Sequence, residues 1–299
     1  MSAPAAQPGD LPADPGTGAS ARQRREQIRT RVAEKGYMRI DVLASTHDVS
    51  VMTIHRDLDE LQRQGWLRKV RGGATAQPSA FFHGDVRYRM HVMREAKQEI
   101  ANAALALVMP GQSVMFDEST TALAVAERLT ERGPLTVITN FMATIRLLAG
   151  EPGIDLISLG GTYFPAYDAF LGMLTSEMLH TIRADVLFMS TTAITAGECY
   201  HQSQETVAVK RAFMSAADRK VLLVDHTKLT KKSLLRLAPL TAFDLVVVDS
   251  NTSQTDLEGL RSLGVPLHVA GSEPAGAREL ADVVDAVPLD SDQDHPAVS

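Results

Sequence analysis

The sequence predicts an α/β protein in two parts: a small basic helical module, then a larger domain built on a mostly parallel sheet. Three observations carry this. Short apolar runs recur along the last two thirds of the chain, at SVMFD (113–117), LTVIT (135–139), IDLISL (154–159), DVLFMS (185–190), KVLLVD (220–225), DLVVVD (244–249) and PLHVA (266–270). Helical patterns such as TTALAVAERLTER (120–132) and ETVAVKRAFMSAA (205–217) separate most of them. Charge is also unevenly shared: residues 21–74 hold 12 Lys/Arg against 7 Asp/Glu, whereas 75–299 hold 18 against 27. Runs this apolar suit strands buried on both faces, and their alternation with helices implies parallel pairing under a helical cover.

The elements follow in order. Ala, Pro and Gly fill 12 of the first 20 positions, a composition that cannot bury a core, so 1–21 is expected to be a disordered tail, as is 288–299. The basic module spans 22–74. A linker with Pro78 and Gly84 spans 75–93, and the α/β domain spans 94–287. Its first helix carries Ile100, Ala104 and Leu107 on one face and stops at Pro110-Gly111; Met173, Leu174, Met178 and Leu179 read as a helix packed on the sheet. The N-terminal segment has no basic stretch followed by an apolar run, no segment approaches the roughly 20 apolar residues that span a bilayer, and Cys199 is the single cysteine. These features predict a cytoplasmic protein with no membrane association, disulfide, metal or cofactor.

Within the basic module, RREQIRTRVAEKG (24–36) is a helix stopped at Gly36, and RIDVLASTHDVS (39–50) gives a second helix and a turn. Ser50 suits the N-cap of a third helix, its hydroxyl accepting the free amide of Thr53. Val51, Ile54, Leu58 and Leu61 then form one apolar stripe, which turns Met52, Thr53, His55, Arg56 and Asp59 outward. Arginine and threonine at a helix N-terminus suit major-groove readout, because guanidinium bonds guanine O6 and N7 together. The plainer reading of Arg56 is a solvated charge or an ion pair with Asp59 or Glu60. Gly65-Trp66-Leu67 ends the helix, and a strand with a glycine turn over 67–74 makes a wing that places Arg68, Lys69 and Arg71 near phosphates. Candidate DNA contacts are thus Ser50, Met52, Thr53, His55, Arg56, Arg68, Lys69 and Arg71, with double-stranded operator DNA as partner. One basic head offers few phosphate contacts, so a homo-oligomer, dimer or tetramer, is expected.

The stretch VSVMTIHRDLDELQRQGWLRKVRGGA (49–74) resembles the DeoR-family signature VSxxTIRRDLxxLxxxGxLxRxxGGA, departing at His55, where the family has Arg. The resemblance continues through KQEIANAA (97–104), DESTTALAVAERL (117–129), VITN (137–140), LGG (159–161), AFLG (169–172), ETVAVKRAFM (205–214) and LLVDHTKL (222–229). It implies a winged helix-turn-helix joined to a sensor domain similar to sugar-phosphate isomerase and CoA-transferase folds. It further implies a transcriptional regulator, usually a repressor of sugar-metabolism genes, controlled by a phosphorylated sugar or related metabolite.

The sharpest effector candidate is DESTT. A strand over 113–117 runs into a loop, and Thr120-Thr121 open a helix, so hydroxyls and free amides gather where an anion binds. The bland reading is that Ser119 or Thr120 merely caps the helix. Two carboxylates repel a phosphate, so Asp117 and Glu118 are expected to accept sugar hydroxyls while Ser119, Thr120 and Thr121 hold the anionic end. Ligands of open α/β sheets sit beyond the carboxyl ends of strands, which adds Thr139, Asn140, Gly160, Gly161, Asp225 and Lys228, with Lys210 as a second phosphate partner. Tyr163, Tyr167 and Asp168 follow the glycine pair and are candidates for specificity. His226 beside Asp225 has no third ligand nearby, so no metal is expected. The alternative is an isomerase-like enzyme carrying a DNA-binding head, with Asp117, Glu118 and Lys228 as acid and base groups. No second carboxylate-rich loop completes such a set, so no catalytic residue is assigned. A vestigial pocket is a third reading.

Overall fold

The computed structural model describes residues 15–76 and 85–271 and divides into two compact units at Ala76/Gln77. The C-terminal tail, residues 1–14 of the expected N-terminal tail and linker residues 77–84 lie outside the described residues, as do 272–287 of the expected sensor domain. No described helix is long and apolar enough to cross a membrane.

The first unit runs α1 (Pro15–Lys35), β1 (Tyr37–Arg39), α2 (Ile40–His47), α3 (Val51–Arg63), β2 (Arg68–Val70) and β3 (Gly73–Thr75). Helix α1 starts inside the segment expected to be a tail. Ile28, Val32, Leu43, Ile54, Leu58 and Leu67 are buried and form the core. Val51, expected in the apolar stripe, is 48% exposed, since the stripe meets the core only from Ile54 onward. The strands pair antiparallel in the order β1-β3-β2. A Cβ on Gly73 would stand 2.4 Å from the Met38 carbonyl oxygen, so only glycine lets β3 close on β1.

The second unit opens with α4 (Val86–His91) and α5 (Arg94–Leu105), then β4 (Ser113–Phe116), α6 (Thr120–Ala126), β5 (Leu135–Thr139), α7 (Met142–Leu148) and β6 (Ile154–Ser158). A hairpin, β7 (Thr162–Phe164) and β8 (Ala169–Leu171), leads to α8 (Met173–His180) and β9 (Ala184–Met189). Next come β10 (Ala193–Thr195), β11 (Glu198–His201), α9 (Gln204–Ala216), β12 (Ala217–Val224) and β13 (Leu235–Pro239). The unit closes with β14 (Leu245–Val248), α10 (Gln254–Ser262) and β15 (Leu267–Val269). Seven strands form one sheet in the order β15-β14-β12-β9-β4-β5-β6, every pair parallel. All seven coincide with the apolar runs of the sequence. Side chains alternate between two cores: Val114, Phe116, Val186, Phe188, Val221 and Leu223 pack on one face, and Met115, Leu187, Met189, Leu222 and Val224 on the other. Phe116 and Phe188 stack across adjacent strands with centroids 5.6 Å apart, a geometry aromatic quadrupoles favour.

Two expectations fail in this unit. The segment over 85–93 is not linker: Asp85 caps α4 by accepting the Arg87 amide at 2.7 Å, and Val86 is buried against Leu123, Phe141 and Ala169. Its helix has only six residues, too short for periodicity to reveal. In α8, Leu179 is buried, yet Met173 and Leu174 are 75% and 63% exposed, because the helix meets the fold along one narrow line.

Truncating Phe116 to Ala is expected to lower stability by about 3–5 kcal/mol, whereas Leu174→Ser stays within about 0.5 kcal/mol. Urea midpoints of the two variants check both.

Candidate functional site

The DNA-facing candidates converge at the start of α3. Ser50 accepts the Thr53 amide at 3.1 Å, the expected cap, and its hydroxyl lies 2.9 Å from that of Thr53. Met52 and Arg56 are exposed; Thr53 and His55 are half-buried. Arg56 makes no ion pair among the described residues. The carboxylates expected to compete for it are engaged elsewhere, Glu60 with Arg63 and Asp59 with Lys69. Asp57 points inward and holds Arg24 at 2.6 Å. On the wing, Arg68 and Arg71 are exposed, whereas the Lys69 ammonium pairs with Asp59 and its amide donates to Gln62 at 2.7 Å. Arg29 stacks 3.1 Å over the Trp66 ring, a cation–π contact that fixes α1 against the base of the wing.

The sensor unit holds a cavity of about 250 Å³ beyond the carboxyl ends of β4, β9 and β12. From β4 the chain steps to β5 and β6 on one side, while β9, β12, β14 and β15 lie on the other. The reversal between β4 and β9 opens the crevice in which α/β sheets bind ligands.

Its floor is a buried trio of charges. Lys210 of α9 places its ammonium against an oxygen of Asp117, 3.1 Å from Glu118 and 3.1 Å from the Ser190 carbonyl. Asp117 has no oxygen left over: one accepts the Ser119 amide at 3.0 Å, and the other the Ser190 amide at 3.0 Å together with Lys210. Burial opposes the Lys210 ammonium, but the two carboxylates outweigh it and its pKa stands above the ordinary value. Glu118 is pushed up by burial, partly countered by Lys210, and its second oxygen Oε2 is buried without a partner among the described residues. Burial also keeps His201 neutral, well below its usual pKa. The Ser203 amide donates to its Nδ1 at 3.3 Å, which leaves the hydrogen on Nε2.

Above the floor, cations crowd one wall. Arg89 from α4, Lys97 from α5, and Lys228 and Lys231 from the turn after β12 all line the cavity. Burial lowers Lys97 to about 7, helped by neighbouring Lys228. It lowers Lys228 to about 8, although Asp225 at 3.8 Å supports the charge. Asp225 is held below its ordinary value despite burial, by Lys228 and the Thr227 hydroxyl. Arg89 is lowered by burial, and its Nε and one terminal nitrogen are buried without partners among the described residues.

Two family comparisons cover most of the chain. The DeoR-like helix-turn-helix domain matches residues 24–80, and the DeoR C terminal sensor domain matches residues 92–250. The chain belongs to the DeoR family of transcriptional regulators. Among its relatives is the L-fucose operon activator of Haemophilus influenzae, 31% identical over 76% of this chain and 91% of the relative. Another is a putative aga operon transcriptional repressor of Escherichia coli O157:H7, 29% identical over 83% and 94%. A ribose 5-phosphate isomerase A from Methanocaldococcus jannaschii aligns at TM-score 0.32 and 18% identity, over 44% of this chain and 53% of the isomerase.

The cavity gathers seven of the expected effector residues: Glu118, Ser119, Thr120, Thr121, Lys210, Asp225 and Lys228. Ser119 caps α6 by accepting the Ala122 amide at 3.1 Å, and Thr120 donates to the Arg89 carbonyl at 3.3 Å. Ser119 is thus the helix cap and Thr120 is not, and both line the cavity. Asp117 lies beneath the cavity, with its oxygens already satisfied. Thr139, Asn140, Gly160 and Gly161 do not line it, because β5 and β6 lie on the other side of the reversal. Thr139 accepts the Phe141 amide, Asn140 donates to the Phe170 carbonyl, and a Cβ on Gly161 would strike the Thr175 hydroxyl at 2.2 Å. Tyr163 and Arg146 both bind Asp168, outside the cavity lining. His226 pairs with Asp249 rather than Asp225, and no metal cluster occurs among the described residues.

Sequence reasoning missed Arg89, Lys97, His201, Lys231 and the Ser190–Thr192 loop. The apolar run ending at Ser190 was the available signal for the last, since residues after a strand end line such crevices.

Replacing Lys210 with Met leaves two buried carboxylates without a counter-charge and is expected to cost about 3–5 kcal/mol at neutral pH. Glu118, already pushed up by burial and now without Lys210 to counter it, would stand further above its unfolded value, so the deficit should shrink as pH falls. Urea unfolding across the acid range measures it.

Proposed function

We propose that this DeoR-family protein represses sugar-metabolism genes and is controlled by a phosphorylated sugar, or a closely related anionic sugar metabolite, bound in the sensor cavity. The observation that carries this reading is the cavity's charge. Lys97, Lys228 and Lys231 gather about Asp225 and Arg89 joins them in the lining, while Lys210 is committed to Asp117 and Glu118. Such a cluster in an acidic body costs desolvation unless an anion shares the site. The relatives' names point to sugar operons as the regulated class. At about 250 Å³ the cavity lies below the roughly 300–1,000 Å³ of ordinary ligand sites, a size that suits one small metabolite.

The anionic end goes to the basic wall rather than to the start of α6, whose cap is already filled by Ser119. Sugar hydroxyls donate to the free Oε2 of Glu118, and the hydroxyl oxygens of Thr191 and Thr192 accept. Turnover is not expected, because Asp117, one carboxylate of the set with Glu118 and Lys228, is already engaged by Lys210 and the Ser119 and Ser190 amides. Heads act in pairs on repeated half-sites, in a homo-oligomer.

Fluorescence anisotropy on the DNA flanking the protein's own gene, against scrambled DNA, tests the reading. Specific binding that one sugar phosphate shifts supports it; a specific complex indifferent to every sugar phosphate and every parent sugar overturns it. Arg56→Ala should cost about 1–3 kcal/mol on the specific sequence, whereas Arg68→Ala or Arg71→Ala should weaken specific and scrambled DNA alike and reduce the salt slope by about one.

Effector affinity should also peak with pH. Below pH about 6 the phosphate monoester loses its second charge. Above about 7 to 8 Lys97 and then Lys228 lose theirs. Both lysines are depressed in the fold, so the bound anion raises them and binding takes up protons. Affinity then falls with rising pH by up to about tenfold per unit for each lysine. Calorimetry in buffers of different ionisation enthalpy reads the proton uptake directly.

A further inference from the structure

We propose that the Arg89 guanidinium is itself an anion ligand of the cavity, and that through it the effector sets the position of α4, the segment that follows the DNA-binding unit in the chain. This rests on the effector reading above and names how the site acts. Arg89 lies in the stretch that the sequence reads as linker. It nevertheless presents two buried guanidinium nitrogens with no partner among the described residues to a cavity already lined by four lysines, one of them, Lys210, neutralised by its carboxylates. A buried guanidinium without partners is costly, and a phosphate offers the planar, bidentate acceptor that relieves it.

The same residue is tied to the cavity through its backbone. The Arg89 carbonyl accepts a hydrogen bond from the Lys97 ammonium and another from the Thr120 hydroxyl at 3.3 Å. Lys97 and Thr120 both line the cavity, so groups that meet the effector also hold α4. An anion that draws on Lys97 competes with the Arg89 carbonyl while attracting the Arg89 guanidinium, and the two pulls turn α4 about its end. That end is a junction under strain: Met93, between α4 and α5, has φ of 53°, the left-handed region that a side chain resists. Strain of this kind marks places where two backbone arrangements lie close in energy. Only a ligand with different affinity for the two arrangements shifts them, and an anion bonded to Arg89 has that property.

The test is hydrogen exchange of residues 85–93 in the full-length protein, with a panel of inorganic phosphate and pentose and hexose phosphates at constant ionic strength. Binding of the same ligands to wild type, Arg89→Gln and Arg89→Lys is measured alongside. The proposal expects exchange at 85–93 to change on binding. It also expects a loss of affinity of about ten- to hundredfold in Arg89→Gln, with only partial recovery in Arg89→Lys, which keeps the charge but not the fork. If wild type binds a ligand while exchange at 85–93 is unmoved, or if Arg89→Gln binds as tightly as wild type, the proposal falls and the effector reading stands. If wild type binds none of the panel, the anionic-effector reading fails and this inference with it. Should Arg89→Gln not fold, the exchange of wild type alone decides.

Discussion

Three charges meet below the surface where β4 and β9 end: Lys210 with Asp117 and Glu118. A buried pair of this kind adds little net stability, because desolvation consumes most of the Coulombic gain. Its value lies in specification. Asp117 takes the amides of Ser119 and Ser190 as well as the lysine, and Lys210 takes the Ser190 carbonyl. One interaction therefore fixes the loop after β4, the loop after β9 and the pitch of α9 against the sheet. Those loops are two of the three walls of the cavity.

The trio also decides the cavity's sign. With Lys210 held by two carboxylates, the lysines on the facing wall have Asp225 and Arg89 has a share of the Glu118 charge, and burial already pulls two of the lysines down toward neutrality. A site so arranged gains most from a ligand that brings its own negative charge. The cavity lining also offers the free oxygen of Glu118 and the hydroxyl groups of Thr121, Thr191 and Thr192. A ligand anionic at one end and hydroxyl-bearing at the other satisfies both sets of groups, and neither set suits an apolar metabolite.

Much of this was legible in the sequence. The seven apolar runs became the seven strands, since a strand buried on both faces leaves a continuous signal. Ser50 and the glycine wing took the places their local chemistry dictates. What failed depended on strand order. Thr139, Asn140, Gly160 and Gly161 stand at strand ends as the reasoning required, but on the side of β4 away from the reversal, and no local pattern encodes which side that is. Arg89 and Lys97 escaped notice because their charge reads as solvated surface until the fold buries it. The six-residue helix that carries Arg89 is too short for periodicity to find. The ion pair of Lys69 with Asp59 was likewise not legible, since it depends on how closely the wing approaches α3.

The claim at the centre of this account is that the sensor cavity recognises an anion. The most direct measurement is calorimetric titration of the purified protein with a sugar phosphate that binds it and with the unphosphorylated parent sugar, under one buffer and salt. The account predicts that the phosphate ester binds at least about a hundredfold tighter, the worth of two charge-assisted hydrogen bonds. Equal affinity for the ester and its parent sugar would contradict it, leaving the basic wall without a role in recognition.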